Sequence, residues 1–154
     1  MVAVRQKIVV EQKLHGVCET HARTRVSAGE VAIIIDEPKE RGGTGQGLTP
    51  TQTLMASLVA CTNVISNKIA RAVGVQLQDM TIDIASTFDR RGVTLQEEVD
   101  RPFRDMRMTI RVRTDATPEQ MEKVQTDLRK FCAVSKVMRA AGIKVTEDWQ
   151  VERL

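Results

Sequence analysis

Tyrosine is missing from this chain, and one tryptophan with three phenylalanines brings aromatic residues to only 3% of 154. A core this poor in rings must be built from Val, Ile, Leu, Met and Ala. The shortage also weighs against a single-strand nucleic-acid platform, because stacking on bases needs exposed rings. Charge points the same way. The net +3 is spread among interleaved acids rather than gathered into a basic stripe. The alternating Arg107, Arg111 and Arg113 read as the wet face of a strand. No nucleic-acid partner is expected. Long apolar runs are missing too: nothing approaches the ~20 residues of a membrane span. The opening MVAVRQKIVVEQKL has no apolar core of the signal-peptide kind. No membrane partner is therefore expected, and the location expected is cytoplasmic.

Histidine is almost as scarce, with His15 and His21 alone and only Cys18 between them. A hydrolase triad is hard to assemble from these, and no close Cys or His pairs announce a metal site. No metal or cofactor is expected. The three cysteines, Cys18, Cys61 and Cys132, form no disulfide scaffold. In a cytoplasmic protein a cysteine pair is more often catalytic or metal-binding than structural. Cys18 is expected as a half-buried strand residue.

At 42% hydrophobic and 28% charged, the composition suits an ordinary globular chain, read as a single domain over residues 1–154. Residues 7–15 and 18–27 read as two strands joined at Gly16, and 30–36 as a third. Residues 37–47 read as a mobile loop. Its glycines, Gly42, Gly43, Gly45 and Gly47, match neither a P-loop, which needs Lys and Ser/Thr next, nor the dinucleotide fingerprint. Thr49-Pro50 then marks a helix start, a hydroxyl cap followed by proline. Leu54, Leu58, Cys61, Ile65 and Ile69 recur at helical steps and share a face, and Gly74 ends the run. Such a helix is about 36 Å long at ~1.5 Å per residue. Ala56 and Ala60 on its other face leave room for close packing, so it is expected to be central and covered on more than one side.

Alternation resumes at Met80, Ile82, Ile84 and Phe88, and again at Met106, Met108, Ile110 and Val112. Thr117-Pro118-Glu119-Gln120 opens a second helix, whose apolar stripe is Met121, Val124, Leu128 and Phe131. A short helix over 133–141 and a last strand through Ile143, Val145, Trp149 and Val151 follow. The class is α+β, with antiparallel sheets wrapping a long central helix.

Cys61 and Cys132 are far apart in the chain, each within a helical pattern. That layout suits two thiols that meet only on folding; the plain alternative is two small hydrophobes buried in a core. On local sequence, Cys132, at a helix start beside Lys130 and Lys136, has the more electropositive setting. Cys61 lies on an apolar stripe, where burial makes a thiol inert unless a cation is near.

The segment from Thr49-Pro50 through Ala60-Cys61, with the later Cys132-Ala133-Val134-Ser135, resembles the OsmC/Ohr family of osmotically induced and organic hydroperoxide resistance proteins. The resemblance spans nearly the whole chain. It implies an intertwined homodimer and a cysteine peroxidase that needs no metal, flavin or haem. Cys61 would attack a small hydroperoxide substrate and Cys132 would resolve the sulfenic acid as a disulfide. A dithiol reductant, lipoyl or a small thiol, would reset the pair. In this family a glutamate two residues after the helix-starting proline helps hold an arginine at the reactive thiolate. That glutamate falls on Gln52 here, and the arginine maps to Arg23 or Arg25. The proline that usually follows the second cysteine is Ala133. The alternative implied by these departures is a non-catalytic OsmC-like dimer that binds a small ligand or senses oxidants.

Overall fold

The computed structural model describes residues 8–154, and its backbone forms two compact units, the second running Leu54–Leu154. The first unit, which ends at Thr53, is built on strands β1 (His15–Cys18), β2 (Arg23–Ala28) and β3 (Val31–Asp36), an antiparallel sheet in chain order. The expected turn at Gly16 does not form. Gly16 lies inside β1 opposite Val26, and residues 8–14 carry no strand, while residue 7 of the expected first strand lies outside the described residues. The chain reverses at 19–22 instead, because Thr20 can organise a turn that glycine cannot. Its Oγ1 accepts the amides of Ala22 at 3.2 Å and Arg23 at 3.0 Å. Cys18 is exposed rather than half-buried, since it ends β1 where none of the described residues of this unit covers it.

Residues 37–47 are likewise tied down within the unit. Asp36 is fully buried, and its carboxylate accepts the Thr44 hydroxyl at 2.5 Å and the amides of Thr44 and Gln46 at 3.1 Å each. A carboxylate out of water must be bonded, and here the loop supplies the donors. The loop's backbone passes so close to its own start and to β3 that a side chain at Gly43 would stand 1.7 Å from the Glu37 carbonyl, and one at Gly47 2.4 Å from that of Ile34. These two glycines serve close approach, not freedom of motion.

Helix α1 (Pro50–Ala72) begins with Thr49 and Gln52 capping each other, and Gly74 follows it in the left-handed conformation. The second unit contains the rest of α1, strands β4 (Gln78–Phe88) and β5 (Phe103–Thr114), helices α2 (Pro118–Phe131) and α3 (Ala133–Ala140), and strand β6 (Lys144–Arg153). Its sheet has the order β4-β5-β6. The β4/β5 pair is antiparallel, whereas β6 joins β5 in parallel after the crossover through α2 and α3. The fold class is α+β, as the alternation of periods in the sequence requires.

Met106, Met108, Ile110 and Val112 of β5 are at most 2% exposed, and Leu58, Val124, Leu128, Met138 and Val145 are buried too. Their outward neighbours on β5 pair across the strands, Arg111 with Asp83 at 2.5 Å and Arg113 with Asp79 at 3.0 Å. The wet face expected for these arginines is therefore present. The α1 stripe differs from expectation. Its most buried side chains are Leu58, Thr62, Ser66, Ile69 and Ala70, while Leu54 is 40% exposed and Ala60 is uncovered. The two hydroxyls are tolerated because each is bonded: Ser66 donates to the Thr62 carbonyl at 2.6 Å and Thr62 to the Met108 sulfur at 3.7 Å. On α2, Thr117 and Gln120 form a reciprocal capping box. Phe131 lies outside the core at 62% exposure, because the helix ends there and the chain turns. Among the described residues no helix is long and apolar enough to cross a membrane.

Truncating Leu58, which is wholly buried, tests this packing. Leu58→Ala is expected to cost about 2–5 kcal/mol in urea unfolding; a loss below about 1 kcal/mol would contradict the placement of this face of α1.

Candidate thiol site

Cys61 lies midway along α1, and Cys132 is the single residue separating α2 from α3. The extended backbone of Cys132 (φ −71°, ψ 103°) breaks what would otherwise be one continuous helix. Its amide closes α2 by donating to the Leu128 carbonyl at 2.9 Å, and its side chain caps α3, where Sγ accepts the Ser135 amide at 3.4 Å. The break aims that sulfur at α1. The two Sγ atoms stand 3.0 Å apart, with Cys132 donating, and both thiols are free. The structure thus joins two cysteines whose meeting their sequence separation left open.

Their surroundings differ. Cys132 is completely buried, whereas Cys61 keeps partial exposure. Burial first, and then the hydrogen bond it gives to Cys61, push the Cys132 thiol up to about 11, against the lowering effect of the Ser135 amide. Lys130 and Lys136 do not reverse this. Lys130 turns away to Asp127 at 2.9 Å, and Lys136 is exposed. Among the described residues neither lysine supplies the electropositive setting expected for Cys132 from its neighbours in sequence. Cys132 therefore holds its proton and presents it to the Cys61 sulfur.

A polar cluster missed in the sequence borders this pair. Glu147 of β6 has a side chain only 2% exposed, and it binds Arg129 of α2 at 2.8 Å and Arg139 of α3 at 2.9 Å. Arg139 also donates to the Ser135 hydroxyl at 3.2 Å. The signal was present: Glu147 has the same strand parity as the inward-facing Val145 and Trp149, and an acid in an apolar phase requires cationic partners.

The remaining candidates belong to the first unit. Arg23 is held by Glu19 at 2.7 Å, Thr44 at 3.0 Å and Gln46 at 2.5 Å. Arg25 is exposed and makes no ion pair among the described residues. Gln52 uses its carbonyl oxygen on the Thr49 amide at 3.0 Å, so the side chain completes the start of α1. Among the described residues no group of three His, Cys, Asp or Glu side chains is arranged to hold a metal ion.

The model of the family described as OsmC-like protein matches residues 43–148. The chain belongs to the OsmC family. Solved structures agree in fold. An OsmC-like protein from Mycoplasma pneumoniae superposes with a TM-score of 0.77 at 14% identity, covering 92% of this chain and 97% of that one. An organic hydroperoxide resistance protein OsmC from Legionella pneumophila gives 0.64 at 14% identity, covering 94% and 99%. The organic hydroperoxide resistance protein OhrB of Bacillus subtilis gives 0.59 at 18% identity, covering 92% and 98%. No curated protein matches by sequence. This OsmC family member keeps the α+β architecture of those structures.

Two outcomes follow from the exposure and protonation of these thiols. Alkylation of the reduced protein, followed by peptide mass mapping, is expected to mark exposed Cys18 first and Cys132 last; early labelling of Cys132 would contradict its burial. Because folding raises the Cys132 thiol above the ~8.5 of an unfolded cysteine, it binds its proton more tightly when folded. Its stabilising share is intact below that pH and lost as pH rises toward about 11. Cys132→Ser should remove that part of the alkaline decline in stability, measured by denaturant melts of reduced protein.

Proposed function

We propose that this protein is a thiol-dependent peroxidase that reduces organic hydroperoxides, acting as a single OsmC-like domain within a cytoplasmic homodimer. One observation carries the reading: two reduced sulfurs 3.0 Å apart, the outer partly exposed and the inner buried and protonated. Peroxide-related names among the family's solved structures, including the Legionella and Bacillus proteins, support the substrate class.

In the first step the Cys61 thiolate attacks one oxygen of ROOH. The O–O bond breaks, the alkoxide takes a proton and leaves as ROH, and Cys61 becomes a sulfenic acid. In the second, Cys132 attacks the oxidised sulfur. Its proton leaves with the hydroxyl as water, and the two cysteines are joined. A dithiol such as a dihydrolipoyl group then reduces the disulfide by exchange and is itself oxidised to a disulfide.

Arg23 is the stronger candidate of the two arginines for the cation at the Cys61 thiolate. Its guanidinium is already oriented by three partners, whereas Arg25 is not. Glu19 supplies the carboxylate that steadies Arg23, the task the family glutamate performs, which leaves Gln52 to cap α1. The second reading, an OsmC-like dimer that binds a small ligand or senses oxidants without turnover, is favoured by that same diversion of Gln52.

Thiol counting separates the two. One equivalent of organic hydroperoxide should remove two thiols per chain within minutes, and Cys61→Ser should abolish the loss. Arg23→Ala should slow the oxidation at least about tenfold, the loss expected for one charge-assisted contact of ~1.4 kcal/mol, with Arg25→Ala close to wild type. Unchanged thiol content in the wild type would leave the ligand-binding reading in its place.

A further inference from the structure

We propose that Glu147 and Arg139 are positioning residues for the resolving thiol: one buried carboxylate clamps the helices on both sides of Cys132 and so fixes its sulfur against Cys61. The inference rests on the peroxidase reading for its kinetics but on geometry for its substance.

The argument begins with the helix break. A residue with extended backbone between two helices is held only as firmly as the helix ends around it. Those ends are tied to one side chain. Glu147 Oε2 takes Arg129 Nε in the last turn of α2 at 2.8 Å. Its Oε1 takes the Arg139 terminal nitrogen on α3 at 2.9 Å. Arg139 Nε then reaches back to the Ser135 hydroxyl at 3.2 Å, and the Ser135 amide meets Cys132 Sγ at 3.4 Å. A continuous set of contacts thus runs from β6 to the sulfur, and Cys132 passes it to Cys61 at 3.0 Å.

The carboxylate is shielded while its partners reach solvent, the Arg129 and Arg139 side chains being 57% and 36% exposed. The Glu147 side chain is 2% exposed and Ser135 is 3% exposed. A carboxylate in that position costs stability unless both oxygens are matched, and an apolar residue would have filled the β6 position more cheaply. The exposed pair Arg113–Asp79, on the other face of the same sheet, offers a contrast with no route to either thiol. The titratable side chains that bear on this chain of contacts are Cys61 on α1, Asp127, Arg129 and Lys130 on α2, Lys136 and Arg139 on α3, and Glu147 on β6. Lys130 is spent on Asp127, and Lys136 faces solvent.

In the second chemical step the Cys132 sulfur bonds to Cys61–SOH and water departs. The rate of that step depends on how often the two sulfurs are in register, the ordinary advantage of a held intramolecular reactant. The first step, in which only Cys61 and the hydroperoxide take part, does not.

Two measurements test this on the full-length protein, with Arg139→Met, Arg139→Lys, Ser135→Ala and, as control, Arg113→Met. The first is the equilibrium of the Cys61/Cys132 pair with reduced and oxidised glutathione, in Cys18→Ser background, which reports the effective concentration of one thiol at the other. Arg139→Met should lower it about tenfold and Ser135→Ala about threefold. Arg139→Lys, which keeps the charge and one contact, should recover most of the loss, and Arg113→Met should match the parent. The second is single-turnover oxidation by an organic hydroperoxide. Its peroxide-dependent phase should be unaltered in Arg139→Met, while the later peroxide-independent phase slows about tenfold. An unchanged glutathione equilibrium in both Arg139→Met and Ser135→Ala would overturn the inference, as would equal slowing of both phases. If the parent shows no peroxide-dependent phase, the peroxidase reading falls, and the glutathione equilibrium alone decides the positioning role.

Discussion

The contact between two sulfur atoms depends on a single interruption in helical structure. Were residues 118–140 one continuous helix, the Cys132 side chain would follow the helical rotation. Instead the backbone extends at Cys132, α2 closes on its amide and α3 opens on its sulfur. The same residue is both cap and helix break. Its complete burial keeps the proton in place, and the proton is directed at Cys61. Two identical side chains thereby acquire different states: one partly exposed, the other dry and protonated.

A second constraint governs the first unit. Asp36 is buried at the end of β3, and its carboxylate gathers Thr44 and Gln46. Those bonds to the ionised form, the Thr44 hydroxyl foremost, hold Asp36 below the usual carboxylate range. The loop that Asp36 orders in turn supplies two of the three partners of Arg23. The arginine that opens β2 is thus oriented through a carboxylate it does not touch directly. Here too a buried acid gives shape to irregular backbone, as Glu147 does for the helices in the other unit.

Much of this was legible in the chain. Period-two alternation located β4 and β5, and the hydroxyl-proline starts located α1 and α2, because those signals follow from local geometry alone. The pairing of Cys61 with Cys132 was proposed from layout and resemblance, and the sulfur contact fits it. What failed to show in the sequence depended on partners remote in the chain. Thr62 and Ser66 look like wet helix residues until Met108 and the helix's own carbonyls are seen to satisfy them. Residues 37–47 look loose until Asp36 is found beneath them. Lys130 looks like a cation for Cys132 until Asp127 takes it. Gly16 looked like a turn because glycine often marks one, but Thr20 builds the real reversal with its hydroxyl.

The most direct test of the account is peptide mapping, under non-reducing conditions, of protein treated with one equivalent of an organic hydroperoxide. The account predicts a single new species in which the peptide carrying Cys61 is linked to the peptide carrying Cys132, with Cys18 still free. Recovery of both peptides unlinked, or of Cys18 as the only oxidised residue, would contradict it.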